Sequence, residues 1–135
     1  MFPLPRKTDS SNPADWIWIS ESDIAGISEL ANRELSYELC RGKLAEVIEK
    51  VLKAELIRTG WLLVRTHDLE VLGRELYARD ATMGLEFKPL VVAYAEVYFS
   101  ARYPGFDLDE PNWAELRRDI ALVEKLLAQV KARIV

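Results

Sequence analysis

Apolar residues recur at three- and four-residue intervals in five stretches of this chain, each bounded by residues that start or stop helices. The first runs from about Pro13 to Arg33, with Ile17, Ile24, Ile27 and Ala31 on one face, Trp16 and Ile19 alongside, and Glu21, Asp23 and Glu29 turned away. Asn12-Pro13-Ala14-Asp15 supplies its start: a capping side chain, a proline where no N–H is needed, and a carboxylate near the positive helix end. The second, from about Leu35 to Thr59, carries two adjoining apolar stripes. One passes through Tyr37, Cys40, Leu44, Val47, Val51 and Ala54, the other through Ala45, Ile48, Leu52 and Leu56. So wide a face predicts a central helix covered by several others. On the remaining arc Glu46 precedes Lys50, and Glu49 precedes Lys53, by one helical turn, which predicts two surface ion pairs of about 0.2–0.5 kcal/mol each. Gly60, able to take positive φ, ends the helix.

Thr66 or Asp68 is expected to cap a short third helix with Leu69, Leu72 and Leu76 on one side, ending before Met83-Gly84. Pro89 is expected to open a fourth through Val91, Tyr94, Val97, Tyr98 and Ala101. Arg102-Tyr103-Pro104-Gly105 should stop it, because a residue before proline is pushed out of helical geometry. A last helix from about Pro111 has the most regular spacing, through Leu116, Ile120, Val123, Leu127, Val130 and Ile134. No stretch alternates as a strand does, and no segment repeats. The predicted fold is all-α: an antiparallel up-down four-helix bundle with one additional short helix. It forms one domain over residues 13–135, after a flexible leader at residues 1–12.

Composition narrows the function classes. At 135 residues the chain can bury roughly two thirds of its unfolded surface without metals or crosslinks. With 22 acids against 18 bases its net charge is −4, so no overall positive field draws nucleic acid and any phosphate contact must be local. Cys40 is the only cysteine, which excludes an internal disulfide and a cysteine-cluster metal site and fits a reducing compartment. With no apolar run of signal or membrane length, the expected location is the cytoplasm. Neither cofactor nor metal is expected, and the acids Asp107, Asp109 and Glu110 beside Pro104 and Gly105 read as a solvated turn.

Three motifs, in order, carry a family resemblance. Ile48-Glu49-Lys50-Val51-Leu52-Lys53-Ala54 matches a helix rich in A-E-K-A-L-K-A, Arg65-Thr66-His67-Asp68-Leu69 matches a K-T-H-D-L helix start, and Ala101-Arg102-Tyr103-Pro104 matches an A-R-Y-P helix end. Over roughly Asp15 to Arg133 the chain resembles the HEPN domain family (higher eukaryote and prokaryote nucleotide-binding domain). The resemblance implies an all-helical domain that usually forms a homodimer. It also implies either a partnership with a small nucleotidyltransferase or, in another branch, a toxin-type ribonuclease. That branch carries an arginine followed by four to six residues and a histidine, supplying a cation for the scissile phosphate and a proton carrier for the reacting oxygen. The single histidine here is His67, and the positions where the arginine would stand hold Gly60, Trp61 and Leu62. The ribonuclease spacing is therefore missing, and no catalytic residue is assigned.

Candidate contacts for a nucleotide or phosphate are Lys50 and Lys53 as a basic strip, His67 at the start of the third helix, Arg102 at a helix C-terminus, and the aromatic Tyr103 beside it. Each has a structural alternative: a solvated lysine face, a capped helix start, a clamp on terminal carbonyls. Trp61, Leu62, Leu63 and Val64 make an apolar loop that must pack on this chain's own helices, on a second copy or on another protein. The leading expectation is a non-catalytic HEPN-like binding module, dimeric and accessory to a nucleotidyltransferase, with possible contact to nucleotide or RNA and none to membrane. The alternatives are an RNA-cleaving enzyme with a divergent site and a purely structural dimerisation adaptor.

Overall fold

A computed structural model of the chain describes residues 7–106 and 110–134. Asn12 caps the first helix as expected, its side-chain oxygen accepting the Ala14 N–H at 3.0 Å. Residues before it also fold onto the helix start, where Asp9 N–H donates to Asp15 and Trp16 Nε1 donates to the Ser10 carbonyl, both at 2.8 Å. Helix α1 (Pro13–Asn32) is followed by α2 (Tyr37–Arg58), α3 (Leu69–Arg79), α4 (Ala81–Tyr94), the single turn α5 (Val97–Ser100) and α6 (Trp113–Arg133). The described residues contain no strand. No described helix is long and apolar enough to cross a membrane.

Both long N-terminal helices end in the same hydrogen-bond pattern, in which two successive N–H groups reach back to carbonyls of the last turn. After α2 this needs positive φ at Gly60 (+96°), with Gly60 N–H bonded to Ile57 O and Trp61 N–H to Leu56 O, both at 3.0 Å. After α1 the left-handed position is held by Glu34 at φ +52°, a conformation glycine would adopt without strain. The motif places an apolar residue just past the helix end, and Trp61 fills that place, packed against the core. The loop therefore divides. Trp61 and Leu63 are half-buried, whereas Leu62 is 85% exposed and Val64 is exposed too.

Side-chain contacts give the helix directions. Asp23 with Lys50, and Trp16 with Lys53, run α1 antiparallel to α2; Glu21 with Lys131 runs it antiparallel to α6. Tyr94 with Asp119, and Asp80 with Arg133, set α4 antiparallel to α6. Residues 61–68 run back along α2 without helix, and α3 then climbs parallel to α2, from His67 beside Glu49 to Arg79 beside Thr59. Helix α2 touches every other helix. It buries Cys40, Leu44, Val47, Ile48, Val51, Leu52, Ala54 and Leu56, the two stripes read from its sequence.

Three expectations are corrected. Helix α4 begins at Ala81, well before Pro89, because Asp80 caps it by accepting the Met83 N–H at 3.1 Å. Pro89 lies inside, and the helical bond it cannot make belongs to the carbonyl of Leu85, on an exposed face open to solvent. The same helix breaks at Ala95-Glu96 rather than continuing to Ala101. Glu49 and Lys53 are not a solvated pair: both are buried, and Lys50 bonds Asp23 of α1 instead of Glu46. Asp107 and Asp109 of the acidic turn lie outside the described residues, among which no cluster could hold a metal ion.

Candidate functional site

Helical spacing sets Glu46, Glu49, Lys50 and Lys53 on one arc of α2, and three other segments converge on it. Lys53 Nζ donates to Glu49 Oε2 at 3.0 Å and lies 5.5 Å from the centre of the Trp16 ring. The other oxygen of Glu49 meets His67 Nδ1 at 2.8 Å. A nitrogen facing a carboxylate carries the hydrogen, so Nε2 is the free nitrogen of an imidazole that is 58% exposed. The His67 ring stacks on Tyr98, with centroids 4.6 Å apart and planes 14° from parallel. The Arg102 guanidinium lies 4.2 Å from the centre of that same ring and pairs with Glu46, which also holds Lys43 at 3.3 Å.

The result is a continuous polar chain, Lys53–Glu49–His67–Tyr98–Arg102–Glu46–Lys43, across the middle of α2. Gly42 permits it, since a Cβ there would stand 3.1 Å from the Ala101 Cβ, just before Arg102. Beside the chain a groove of about 570 Å³ opens between α1 and α2, with Gly26 and Leu30 on one side, Leu39 and Glu46 on the other, and Arg102 at its end. Asp23, also in that groove, takes the Lys50 ammonium at 2.7 Å.

Of the residues singled out from sequence, His67 and Arg102 are brought together, both within 5 Å of one ring centre. Lys50 and Lys53 do not form a strip. Lys53 is buried beneath Trp16, and Lys50 faces α1. Arg102 clamps a carboxylate rather than terminal carbonyls. Tyr103 is exposed and joins no ion pair or ring contact among the described residues. The sequence places Tyr98 only along the predicted fourth helix, among Val91, Tyr94, Val97 and Ala101. Its spacing of four from Arg102 was a signal that the two share a face, whereas nothing local could reveal that His67 meets Glu49.

Every cation in the cluster already has a carboxylate partner. An entering phosphate would have to displace Glu46 from Arg102 or Asp23 from Lys50. The family model for the HEPN domain matches residues 14–132. The chain belongs to the HEPN domain family. In this HEPN domain the arginine that shares the Tyr98 ring with the histidine arrives from beyond α5. Comparison with curated proteins and with solved structures returned no match.

Elsewhere in the HEPN fold a buried tyrosine and a half-buried aspartate are shifted. Burial, reinforced by the 2.7 Å bond to Asp119, pushes the Tyr94 phenol well above its ordinary range, and burial raises the Asp119 carboxyl against the opposing effect of the Tyr94 bond. Burial also raises the Cys40 thiol, which favours its protonated form.

Proposed function

We propose that this HEPN domain is a non-nucleolytic helical binding module, a cytoplasmic homodimer built as an up-down bundle and accessory to a minimal nucleotidyltransferase. The observation that carries the reading is the internal neutralisation of the cluster: Lys53 by Glu49, Arg102 by Glu46 and Lys50 by Asp23. A ribonuclease keeps its cation free for the scissile phosphate and its histidine free to exchange a proton. Here the Arg102 cation is engaged by Glu46 of α2, and Nδ1 of His67 is engaged by Glu49, which leaves only its Nε2 edge open. Where a nucleotide binds, Arg102 is the contact that exchanges its carboxylate for a phosphate, beside the exposed His67 edge.

Affinity capture of the tagged chain from its host tests the accessory role. A nucleotidyltransferase chain is expected at stoichiometric yield, and its absence from a folded preparation contradicts the role. Melting with and without ATP tests nucleotide binding, because a ligand at about a hundred times its dissociation constant adds roughly 2.7 kcal/mol of stability.

One observation favours a second reading, RNA cleavage through a divergent site. Glu49 orients His67 as a carboxylate orients a general base, and Arg102 shares the Tyr98 ring. That reading requires RNA cleavage that disappears in both His67→Ala and Arg102→Ala.

A further inference from the structure

The outer face of the α3–α4 hairpin holds a second groove, of about 590 Å³, that the functional cluster does not use. The two helices approach closely there: a Cβ on Gly84 would stand 2.6 Å from the Tyr77 Cα, and one on Gly73 would stand 3.2 Å from Val91. Tyr77 (53%), Leu85 (55%) and Val92 (70%) are left exposed along it. At its rim stand Glu70, Arg74 and Lys88, and none of the three has an ion-pair partner among the described residues. The contrast with the α2 cluster, where each cation is matched within the chain, makes this face an unpaired surface of both signs around an apolar floor.

We propose that a second copy of this chain covers the face, with α3 lying antiparallel to α3 of the partner about a twofold axis that passes between Glu70 and Arg74. In an isologous contact every pair occurs twice, so a face carrying an acid and a base one helical turn apart is complementary to itself. In this register Glu70 of each copy meets Arg74 of the other. Along the hairpin Gly73 is level with Val91 and Tyr77 with Gly84, so Val92 is level with the Glu70-to-Arg74 turn. The most exposed apolar side chain of the face therefore sits near the axis, against its own counterpart. Helices of 11 and 14 residues span about 17 and 21 Å and present a face two helices wide. A face of that size belongs with weak interfaces rather than the large permanent ones, so a single reversed charge disrupts it.

The proposal deepens the homodimer of the reading above, and the test separates the two. Sedimentation of the full chain should give a dimer, and Val92→Glu should give a monomer with unchanged helical circular dichroism. Glu70→Arg and Arg74→Glu should each weaken the dimer by at least about tenfold, through like charges facing twice across the axis. An equimolar mixture of those two variants should form the heterodimer seen by native mass spectrometry, because opposite charges then face in both places. A wild-type dimer that survives Val92→Glu overturns this surface but leaves the homodimer standing. A wild-type monomer at high micromolar concentration overturns both. Monomers from both charge variants that do not associate when mixed overturn the α3–α3 register and point to an acidic helix of another protein against Arg74 and Lys88.

Discussion

Glu49→Gln is the substitution that separates a buried, committed ion pair from a surface strip of lysines. Glu49 is 7% exposed and Lys53 is 4% exposed. Glutamine keeps the shape and one acceptor oxygen but removes the charge, leaving the Lys53 ammonium with no counter-charge beside that oxygen and the Trp16 ring at 5.5 Å. Breaking a buried pair by removing one partner costs about 3–5 kcal/mol. With the retained hydrogen bond and the ring discounted, the expected loss is about 2–4 kcal/mol, roughly 10 °C in melting temperature for a chain of this size. Lys53→Met should cost less, about 1–2 kcal/mol, because the carboxylate it abandons keeps its hydrogen bond to His67. The double variant holds no unpaired buried charge and should be more stable than Glu49→Gln alone, with a coupling of at least about 1 kcal/mol. Urea denaturation followed by circular dichroism measures all three, provided the slopes agree. A Glu49→Gln loss below about 0.5 kcal/mol, or additive single effects, would refute the reasoning, since surface pairs behave that way.

Three further outcomes follow from local geometry. Gly84→Ala drives a Cβ into the backbone of Tyr77 and should cost about 2–3 kcal/mol by calorimetry, with α3 and α4 forced apart. Glu34→Gly relieves a left-handed residue at the end of α1 and should stabilise by about 0.5–1 kcal/mol in chemical denaturation, the exposed contact with Arg117 being worth little. Asp119 holds its proton to higher pH in the folded chain than in the unfolded one, so its contribution to stability is greatest in acid and declines as pH rises from about 4 through the raised value. Asp119→Asn should remove that decline. Unfolding free energies of wild type and variant compared between acid and neutral pH check it, and parallel curves contradict it.

The fold was legible wherever a signal was local. The caps at Asn12 and Asp68, the positive φ at Gly60 and the two stripes of α2 follow from short-range chemistry, and the structure matches them. The start of α4 was hidden because proline is a strong breaker signal, and only the Asp80 cap and an exposed face at Leu85 let the helix run through Pro89. The site was half legible. The motifs singled out His67 and Arg102, but their partners Glu49 and Glu46 belong to a third segment, and the return of residues 61–68 along α2 that joins them leaves no periodic trace. The burial of Lys53 was masked for the same reason. An acid and a lysine one turn apart look alike on a solvated face and under Trp16.

Cleavage of a fluorescent RNA by the purified full chain tests the central claim most directly. The paired cluster predicts no product above background for wild type, His67→Ala and Arg102→Ala alike. Product formed by the wild-type chain and lost in both variants would contradict it.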